Sequence, residues 1–357
     1  MAVSPGWVVW ERMMKARLVP AVAQVRERLV RLAARSDPSR RAMARVGAEL
    51  SRIALIGSVV SEARAADPDG GETIYDGSYF GVGRDPTGNR ANRSGYATYD
   101  RVSSNADIAA YMLWRNFRAF RALDVGCAKG YLVEALRERG VEAFGCDVSR
   151  FAVENAAPRA LGYVRLGDLG RGLPYVDGEF DLVTALEVLE HLDPSEVGAA
   201  LGELRRVCRG VVYATIPSFG RNPSGPDGHL VGKVRPECLD RYRAMGHQFE
   251  GPVPYEDLAV DADGRPIEGH LTIASYDWWT ARFAEAGFDR WADVERRLYE
   301  DIAPAGLGEF WNLYVFAVPE ASLELARPIH PDKTLRELGL VHPLIEHAAS
   351  LAAAAEG

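Results

Sequence analysis

The chain has 357 residues, of which 47% are hydrophobic and 26% charged, and this balance is typical of a soluble globular protein with one large domain or two ordinary ones. No run approaches the roughly 18 uninterrupted apolar residues of a membrane span, and no apolar block with a small-residue cleavage site opens the chain. We therefore expect a cytoplasmic protein, with a net charge of −8 that is unevenly spread.

Residues 1–66 hold 12 Arg and Lys against 5 Asp and Glu, and their pattern predicts a basic helical hairpin. An apolar stripe at spacings of three and four marks the first helix, and SDPSRR at 36–41 supplies an N-cap and an early proline for the second. We expect the hairpin to pack on the main domain or on a second subunit as a homodimer; peripheral contact with an anionic membrane surface or an acidic partner is the alternative. All but four of the 42 basic residues are arginine, a compositional bias that weakens a nucleic-acid interpretation.

Residues 67–103 are rich in Gly, Asn, Tyr and Arg and poor in aliphatic residues. Such a segment cannot form a core of its own, so we expect a loop that covers a ligand or the edge of a sheet, as a lid does. Five aromatic residues give it apolar area for that contact: Tyr75, Tyr79, Phe80, Tyr96 and Tyr99.

From about residue 104 onwards, strand and helix patterns alternate. Strands are predicted at 120–125, 142–147, 163–166, 180–186 and 210–216. Helices are predicted at 104–119, 130–139, 150–156 and 195–208. This rhythm predicts an α/β fold with a doubly wound, mostly parallel sheet and right-handed crossovers.

The last part of the predicted domain, which spans 104–320, departs from that rhythm. A segment at 217–275, with prolines, glycines and three histidines, interrupts it before a helix at 275–288. Two further strand candidates, 290–299 and 309–319, are close enough in sequence to form an antiparallel pair, which gives seven strands with an antiparallel last strand. The rest of the chain, 321–357, is a tail with an Ala-rich helix.

The stretch LDVGCAKG joins the first predicted strand to a helix through a glycine turn. Gly126 and Gly130 lack a Cβ, so a ligand can approach the backbone N–H groups. A Walker phosphate loop is excluded because Lys129 precedes its glycine, and a dinucleotide site is disfavoured because Ala128 stands where GxGxxG has its second glycine. Asp124 would repel a pyrophosphate but suits a ligand with ammonium and sulfonium groups, so the turn favours S-adenosylmethionine over NAD.

LDVGCAKG resembles motif I of the class I S-adenosylmethionine-dependent methyltransferases, with Ala128 in place of the more usual middle glycine. Three later segments match the family in order and spacing: VEAFGCDVS, RLGDLGRGLP and GEFDLVTALEVLEHL. The resemblance implies a Rossmann-like fold and S-adenosylmethionine as the cofactor. The cofactor-binding residues that it implies are Asp124, Gly126, Cys127, Gly130, Asp147, Val148, Asp168, Leu169 and Glu187.

Two of the predicted cofactor-binding residues stand at the end of the second predicted strand. Asp147 ends it and can accept both ribose hydroxyls, while Val148 can pack on adenine. The resemblance assigns Asp168 to the adenine amino group, Leu169 to the adenine face and Glu187 to the methionine end. The alternative role for Cys127 and Cys146 is that of small packing residues. The chain has two further cysteines, Cys208 and Cys238. None of the four forms a CxxC pair, so we expect reduced thiols.

The methyl acceptor is expected under the segments 67–103 and 217–275, which follow or cover the carboxyl ends of the strands. A hydroxyl acceptor needs a base, and the candidates are His229 and His270; a loop anchor is the alternative for His270. A hydrogen-bonded structural role is expected for His191 in LEVLEHL. No acid follows strand five before Asp227, so the sequence does not indicate a metal.

These observations predict an enzyme that methylates a hydroxyl of a small-molecule or glycan acceptor, such as a sugar or natural product. The polar segment 67–103 and the histidine-containing loops suit a hydroxylated molecule. One alternative is a methyltransferase for RNA or protein, docked by the basic residues 1–66. Another is a scaffold that binds the cofactor without turnover.

Overall fold

The computed structural model describes residues 75, 79–80, 99–102, 104–220, 230–245, 248–261, 264–302 and 312–328. All of them belong to the unit that begins at Gly70. The predicted hairpin, most of the predicted lid and most of the C-terminal tail lie outside the described residues, as does His229. Among the described helices, none is both long and apolar enough to cross a membrane.

The described elements alternate along the chain. They are α1 (Ala106–Asn116), β1 (Arg121–Val125), α2 (Tyr131–Glu138), β2 (Glu142–Asp147), α3 (Arg150–Glu154), β3 (Val164–Leu166), β4 (Phe180–Leu186), α4 (Val197–Val207), β5 (Cys208–Thr215), β6 (Ser218–Phe219), α5 (Pro236–Met245), β7 (Ala274–Ser275), α6 (Tyr276–Glu285), β8 (Asp289–Arg290), α7 (Ala292–Ile302) and β9 (Leu313–Ala317). Short 3-10 turns lie at Leu189–His191, Tyr255–Asp257, Ile267–Gly269 and Leu323–Ala326.

Seven strands form one sheet in the order β3-β2-β1-β4-β5-β9-β8. Strands β1 to β5 pair in parallel, and β9 is antiparallel to both β5 and β8. The predicted doubly wound, mostly parallel α/β sheet is thereby confirmed. Because the strand order turns back between β1 and β4, their carboxyl ends open a crevice where ligands bind in folds of this type.

The sheet is buried on both faces, since neighbouring side chains of a strand point to opposite sides. In β9, Leu313 and Val315 belong to a core that also holds Met112 of α1 and Leu136 of α2. Tyr314 and Phe316, which alternate with them, join a second core with residues of α4 and α6. Trp279 and Phe283 of α6 are fully buried there, so they pack this helix on the sheet.

The predicted strand at 290–299 is wrong apart from its first residue. Only Asp289 and Arg290 pair with β9, after which the chain turns into α7. Val294 and Leu298 are buried, and their spacing of four is that of a helix face. Glu295, also buried on that helix, accepts hydrogen bonds from Arg290 and from the N–H of Val315, so it ties α7 to both strands.

The predicted insertion at 217–275 has a small apolar core of its own in its described part. That core consists of Phe219, Leu230, Val234, Tyr242, Val253, Leu258 and Ile273. Strands β6 and β7 pair in parallel at its base. Because β6 lies two residues beyond β5 and β7 leads directly into α6, the insertion starts and ends at the carboxyl edge of the sheet.

Candidate cofactor and acceptor site

The turn after β1 has a left-handed backbone at three positions, Gly126, Ala128 and Gly130. A Cβ on Gly126 would lie 2.4 Å from a methyl of Val188, so any other residue would force Val188 to move and would strain the left-handed backbone. Ala128, with φ of 48°, bears a cost of about 1–2 kcal/mol for this conformation. Its N–H donates to Oδ2 of Asp147 at 2.7 Å, and a hydrogen bond to a charged group contributes about 1.5–3 kcal/mol, enough to offset that cost.

Two buried carboxyl groups flank this turn. Asp147 at the end of β2 also accepts the N–H of Ser149 at 2.8 Å, and burial raises its pKa to about 6 despite both backbone donors. Asp124 in β1 accepts the hydroxyl of Thr184 at 2.6 Å, and burial raises the pKa of Asp124 to about 7. Both groups therefore gain stability from any ligand that brings a positive charge or hydroxyl donors.

Two neighbouring cavities open at the carboxyl ends of the strands. The first, of about 340 Å³, is lined by Asp147, Val148, Asp168 and Leu169 together with the aromatic residues Tyr75, Tyr79, Phe80 and Tyr99. The second, of about 300 Å³, is lined by Asp124, Cys127, Asn105 and Thr215. Gly126 and Glu187 line both, so the structure brings together every predicted cofactor residue except Gly130.

Gly130 lies behind the turn at the start of α2. A Cβ there would lie 2.7 Å from Val164 and 2.9 Å from Ala160, so its place is explained by packing. Asp168 accepts the N–H of Gly170 at 2.9 Å, which fixes its carboxyl group beside Leu169.

The other wall of the first cavity is built where the insertion meets the segment after β4. The carbonyl of Glu190 accepts the N–H groups of Leu271 and Thr272 at 2.8 and 2.9 Å, and the Thr272 hydroxyl donates to the Leu192 carbonyl at 2.6 Å. This clamp sets Glu268 and His270 at the cavity wall.

Histidine and glutamate side chains cluster at the clamp. The rings of His191 and His270 are 5.0 Å apart and nearly perpendicular, and both line the first cavity. Burial lowers the pKa of His191 to about 4, so its ring is neutral at pH 7. Glu187 also faces this cavity, where the surrounding protein limits its contact with bulk water and raises its pKa to about 7.

Comparison with known proteins places this architecture in a family. A family model described as a methyltransferase domain matches residues 122–210. The ubiquinone biosynthesis O-methyltransferase of Methylococcus capsulatus is 35% identical over 105 residues, which cover 27% of this chain and 43% of that protein. The enzyme of the same name from Psychrobacter cryohalolentis is 30% identical over 184 residues, which cover 47% of this chain and 69% of that protein. The chain belongs to the class I S-adenosylmethionine-dependent methyltransferase family.

The family model and the first curated relatives match only part of this chain. The chain spans 43% and 62% of the length of the first two curated relatives that it matches. A solved S-adenosylmethionine-dependent methyltransferase from Thermotoga maritima, described as a possible histamine N-methyltransferase, is similar over 61% of this chain and 89% of its own, with 16% identity and a TM-score of 0.34.

S-adenosylmethionine, the cofactor of this family, fits the residues that line the methyltransferase cavities. The ligand carries a sulfonium and an ammonium group, and the buried carboxyl groups of Asp124 and Asp147 provide the negative charge that it needs. Val148 and Leu169 provide apolar surface for adenine. The Lys129 ammonium lies 5.8 Å and 5.7 Å from the ring centres of Phe80 and Phe151, as in a cation–π contact, and lines neither cavity.

Of the predicted catalytic residues, His270 lies in the methyltransferase cavity and is 6% exposed, while His229 lies outside the described residues. The sequence interpretation missed the grouping of Glu190 and His191 with His270. Its signal was the run LEVLEH, in which Glu187, Glu190 and His191 stand close together in the sequence.

Proposed function

We propose that the protein transfers the methyl group of S-adenosylmethionine to a hydroxyl group of a small molecule. One observation carries this proposal: the cavity lined by Asp147, the acid that we assign to the cofactor, is also lined by His270 and Glu187. A cofactor bound along the strand ends would thus have titratable groups beside its reactive end. The matched relatives, which are named O-methyltransferases, support the same chemistry.

The reaction requires an acceptor oxygen in line with the bond that breaks. Bound S-adenosylmethionine supplies an electrophilic methyl group on its sulfonium sulfur; the C–O bond forms as the S–CH3 bond breaks, and the hydroxyl proton leaves. His270 is the group of this chain that we assign to receive that proton, because it lies at the cavity wall and is held by the clamp to the segment after β4.

The cavity also favours one class of acceptor. Four aromatic side chains from the predicted lid, Tyr75, Tyr79, Phe80 and Tyr99, line it. They offer flat apolar faces with polar edges, which suit a hydroxylated ring such as a phenol or a sugar. As lid residues they would also exclude water from the reacting groups.

Cofactor binding is the first test. Asp147→Ala should weaken S-adenosylmethionine binding by at least about tenfold in calorimetric titration, because it removes the acceptor for the ribose hydroxyls and releases the N–H of Ala128. Asp240→Ala, which changes an exposed aspartate of α5, is the matched control and should bind like the wild type. Equal affinity of the two variants would contradict the site.

A labelling screen tests the acceptor class. The protein is incubated with methyl-labelled cofactor and with separate panels of phenols, sugars and alkylamines. Mass spectrometry then gives the masses of the products. Label in a hydroxylated product supports the proposal. Label confined to amines would overturn the assignment of a hydroxyl acceptor while leaving the cofactor site intact.

A further inference from the structure

Phe80, from the predicted lid, packs on the loops that carry the predicted cofactor residues. It is 4% exposed and forms a small apolar cluster with Ala128 of the turn after β1 and Ala152 of α3. Its ring is stacked on that of Phe151, with the ring centres 5.9 Å apart. This part of the lid therefore rests on residues that follow β1 and β2, next to the carboxyl group of Asp147.

Ser149 ties the lid to the same place by a hydrogen bond. Its hydroxyl donates to the carbonyl oxygen of Tyr75 at 2.6 Å and accepts the N–H of Ala152 at 3.0 Å. Its own N–H donates to Asp147. The side chain is 3% exposed, and a hydroxyl has one proton to donate, so that proton is committed to the lid. Ser149 thus fixes the backbone of Tyr75 relative to the end of β2.

Tyr75 in turn lies between the cofactor side and the acceptor side of the first cavity. Its ring centre is 5.0 Å from that of Tyr79 and 6.0 Å from that of His191, and it stands nearly perpendicular to both rings. Burial and the nearby carboxyl groups of Asp147 and Glu190 raise the pKa of its hydroxyl, which therefore stays protonated at neutral pH. Tyr75 can offer a ring and a hydrogen-bond donor to a molecule in the cavity, but not a base.

We propose that Ser149 is a positioning residue for the methyl acceptor: it fastens the lid to the cofactor strand and so sets Tyr75 against the acceptor beside His191. This inference rests on the proposed function, because it assigns the cavity to a hydroxylated ring. An acceptor held by a fixed wall loses less freedom when it reaches the reactive geometry, so a loosened wall should weaken acceptor binding more than cofactor binding.

Ala128 serves the same contact. It stands where motif I more usually has a glycine, and it bears the cost of a left-handed backbone that a glycine would avoid. Its methyl group belongs to the cluster with Phe80, so the alanine gives the lid an apolar seat that a glycine lacks. The departure from the family pattern is thereby explained by the lid.

Ser149 also caps α3, and this purely structural role has to be separated from the proposed one. Alanine at this position removes both hydrogen bonds of the hydroxyl, whereas threonine keeps a hydroxyl for both. Ser275→Ala is the matched control, because the buried Ser275 caps α6 in the same way by accepting the N–H of Trp278. Loss of a helix cap alone should therefore be seen equally in Ser149→Ala and Ser275→Ala.

Amide hydrogen exchange of the full-length protein, followed by mass spectrometry, tests the docking of the lid without cofactor or acceptor. In Ser149→Ala the peptide that holds Tyr75, Tyr79 and Phe80 should exchange about 2- to 12-fold faster, the factor that corresponds to one net hydrogen bond. Ser149→Thr should restore the wild-type rate, and Ser275→Ala should not change it. Ala128→Gly, which fits the backbone without strain, should also exchange faster, by about fourfold for one buried methyl group.

Steady-state kinetics on the acceptor from the labelling screen test the positioning. Ser149→Ala should raise the KM for that acceptor by about 2- to 12-fold and Ser149→Thr should not. The affinity for S-adenosylmethionine in calorimetry should stay at the wild-type value, because the N–H of residue 149 still holds Asp147. Ser275→Ala should keep the wild-type KM.

Wild-type exchange of the lid peptide in both Ser149→Ala and Ala128→Gly would overturn the docking. Faster exchange with an unchanged acceptor KM, or the same rise in KM for Ser149→Ala and Ser275→Ala, would overturn the positioning role. Faster exchange together with a screen that yields no methylated product would uphold the docking of the lid and count against the proposed function alone.

Discussion

Asp124 shows how a buried carboxyl group at the proposed cofactor site can reduce the stability of the ligand-free protein. In an unfolded chain its carboxyl group has a pKa near 3.9. In the folded protein burial raises the pKa of Asp124 to about 7. Between these two pH values the unfolded state loses its proton while the folded state keeps it, so the stability that is complete below about pH 4 is lost as pH rises through about 7.

Asp124→Asn removes this titration and keeps the shape of the side chain. Without ligand, the variant should unfold at a higher temperature than the wild type at pH 8, with a gain of about 2–4 kcal/mol, and its stability should change less between pH 4 and 7. Its affinity for S-adenosylmethionine should fall. Thermal unfolding at several pH values measures the first effect and calorimetry the second.

The exposed Asp240→Asn variant should keep the wild-type pH dependence. An Asp124→Asn protein whose stability varies with pH as steeply as that of the wild type would contradict the buried, raised pKa of Asp124.

Among the elements, the strands whose ends line the two cavities could be predicted from the sequence with small errors at their ends. The strands predicted at 120–125, 142–147 and 180–186 are confirmed, because each is an apolar run that ends in a turn and the periodicity is local information. The strand predicted at 290–299 is wrong because its apolar residues recur every four positions and pack α7 on β9. In so short a segment, the same apolar residues are compatible with a strand and with a helix.

Thr272 tests whether the clamp between the insertion and the segment after β4 sets the acceptor side. Thr272→Val keeps the shape but removes the hydroxyl donor of the partly buried Leu192 carbonyl, which should cost about 0.5–1.5 kcal/mol. Because the same segment carries His270, we expect kcat to fall roughly 10- to 100-fold on the acceptor found in the labelling screen, with cofactor affinity unchanged.

Thr280→Val is the matched control, since the Thr280 hydroxyl donates to a carbonyl within its own helix, α6. It should leave kcat at the wild-type value. Equal kcat for the Thr272 and Thr280 variants would show that the clamp has no part in placing the acceptor.

Across the whole molecule, the proposed cofactor half of the site could be predicted from the sequence more fully than the proposed acceptor half. The cofactor half comes from consecutive strands, so Asp124, Asp147 and Asp168 follow one another in a spacing that the fold repeats. The proposed acceptor half needs His191 and His270 to meet, although residues 192–269 separate them in the chain. Such a meeting depends on the packing of the small core of the insertion, which no local pattern encodes.

The basic N-terminal segment distinguishes a small-molecule acceptor from a macromolecular one. The residues that line both cavities belong to the unit that begins at Gly70. A protein that starts at Gly70 should therefore keep its cofactor affinity and its turnover of a small hydroxylated acceptor, as measured by calorimetry and by release of S-adenosylhomocysteine. The full-length protein is the control. If truncation abolished methylation of RNA or protein in an extract while leaving cofactor affinity intact, the net positive charge of residues 1–66 would be a docking element and the acceptor a macromolecule.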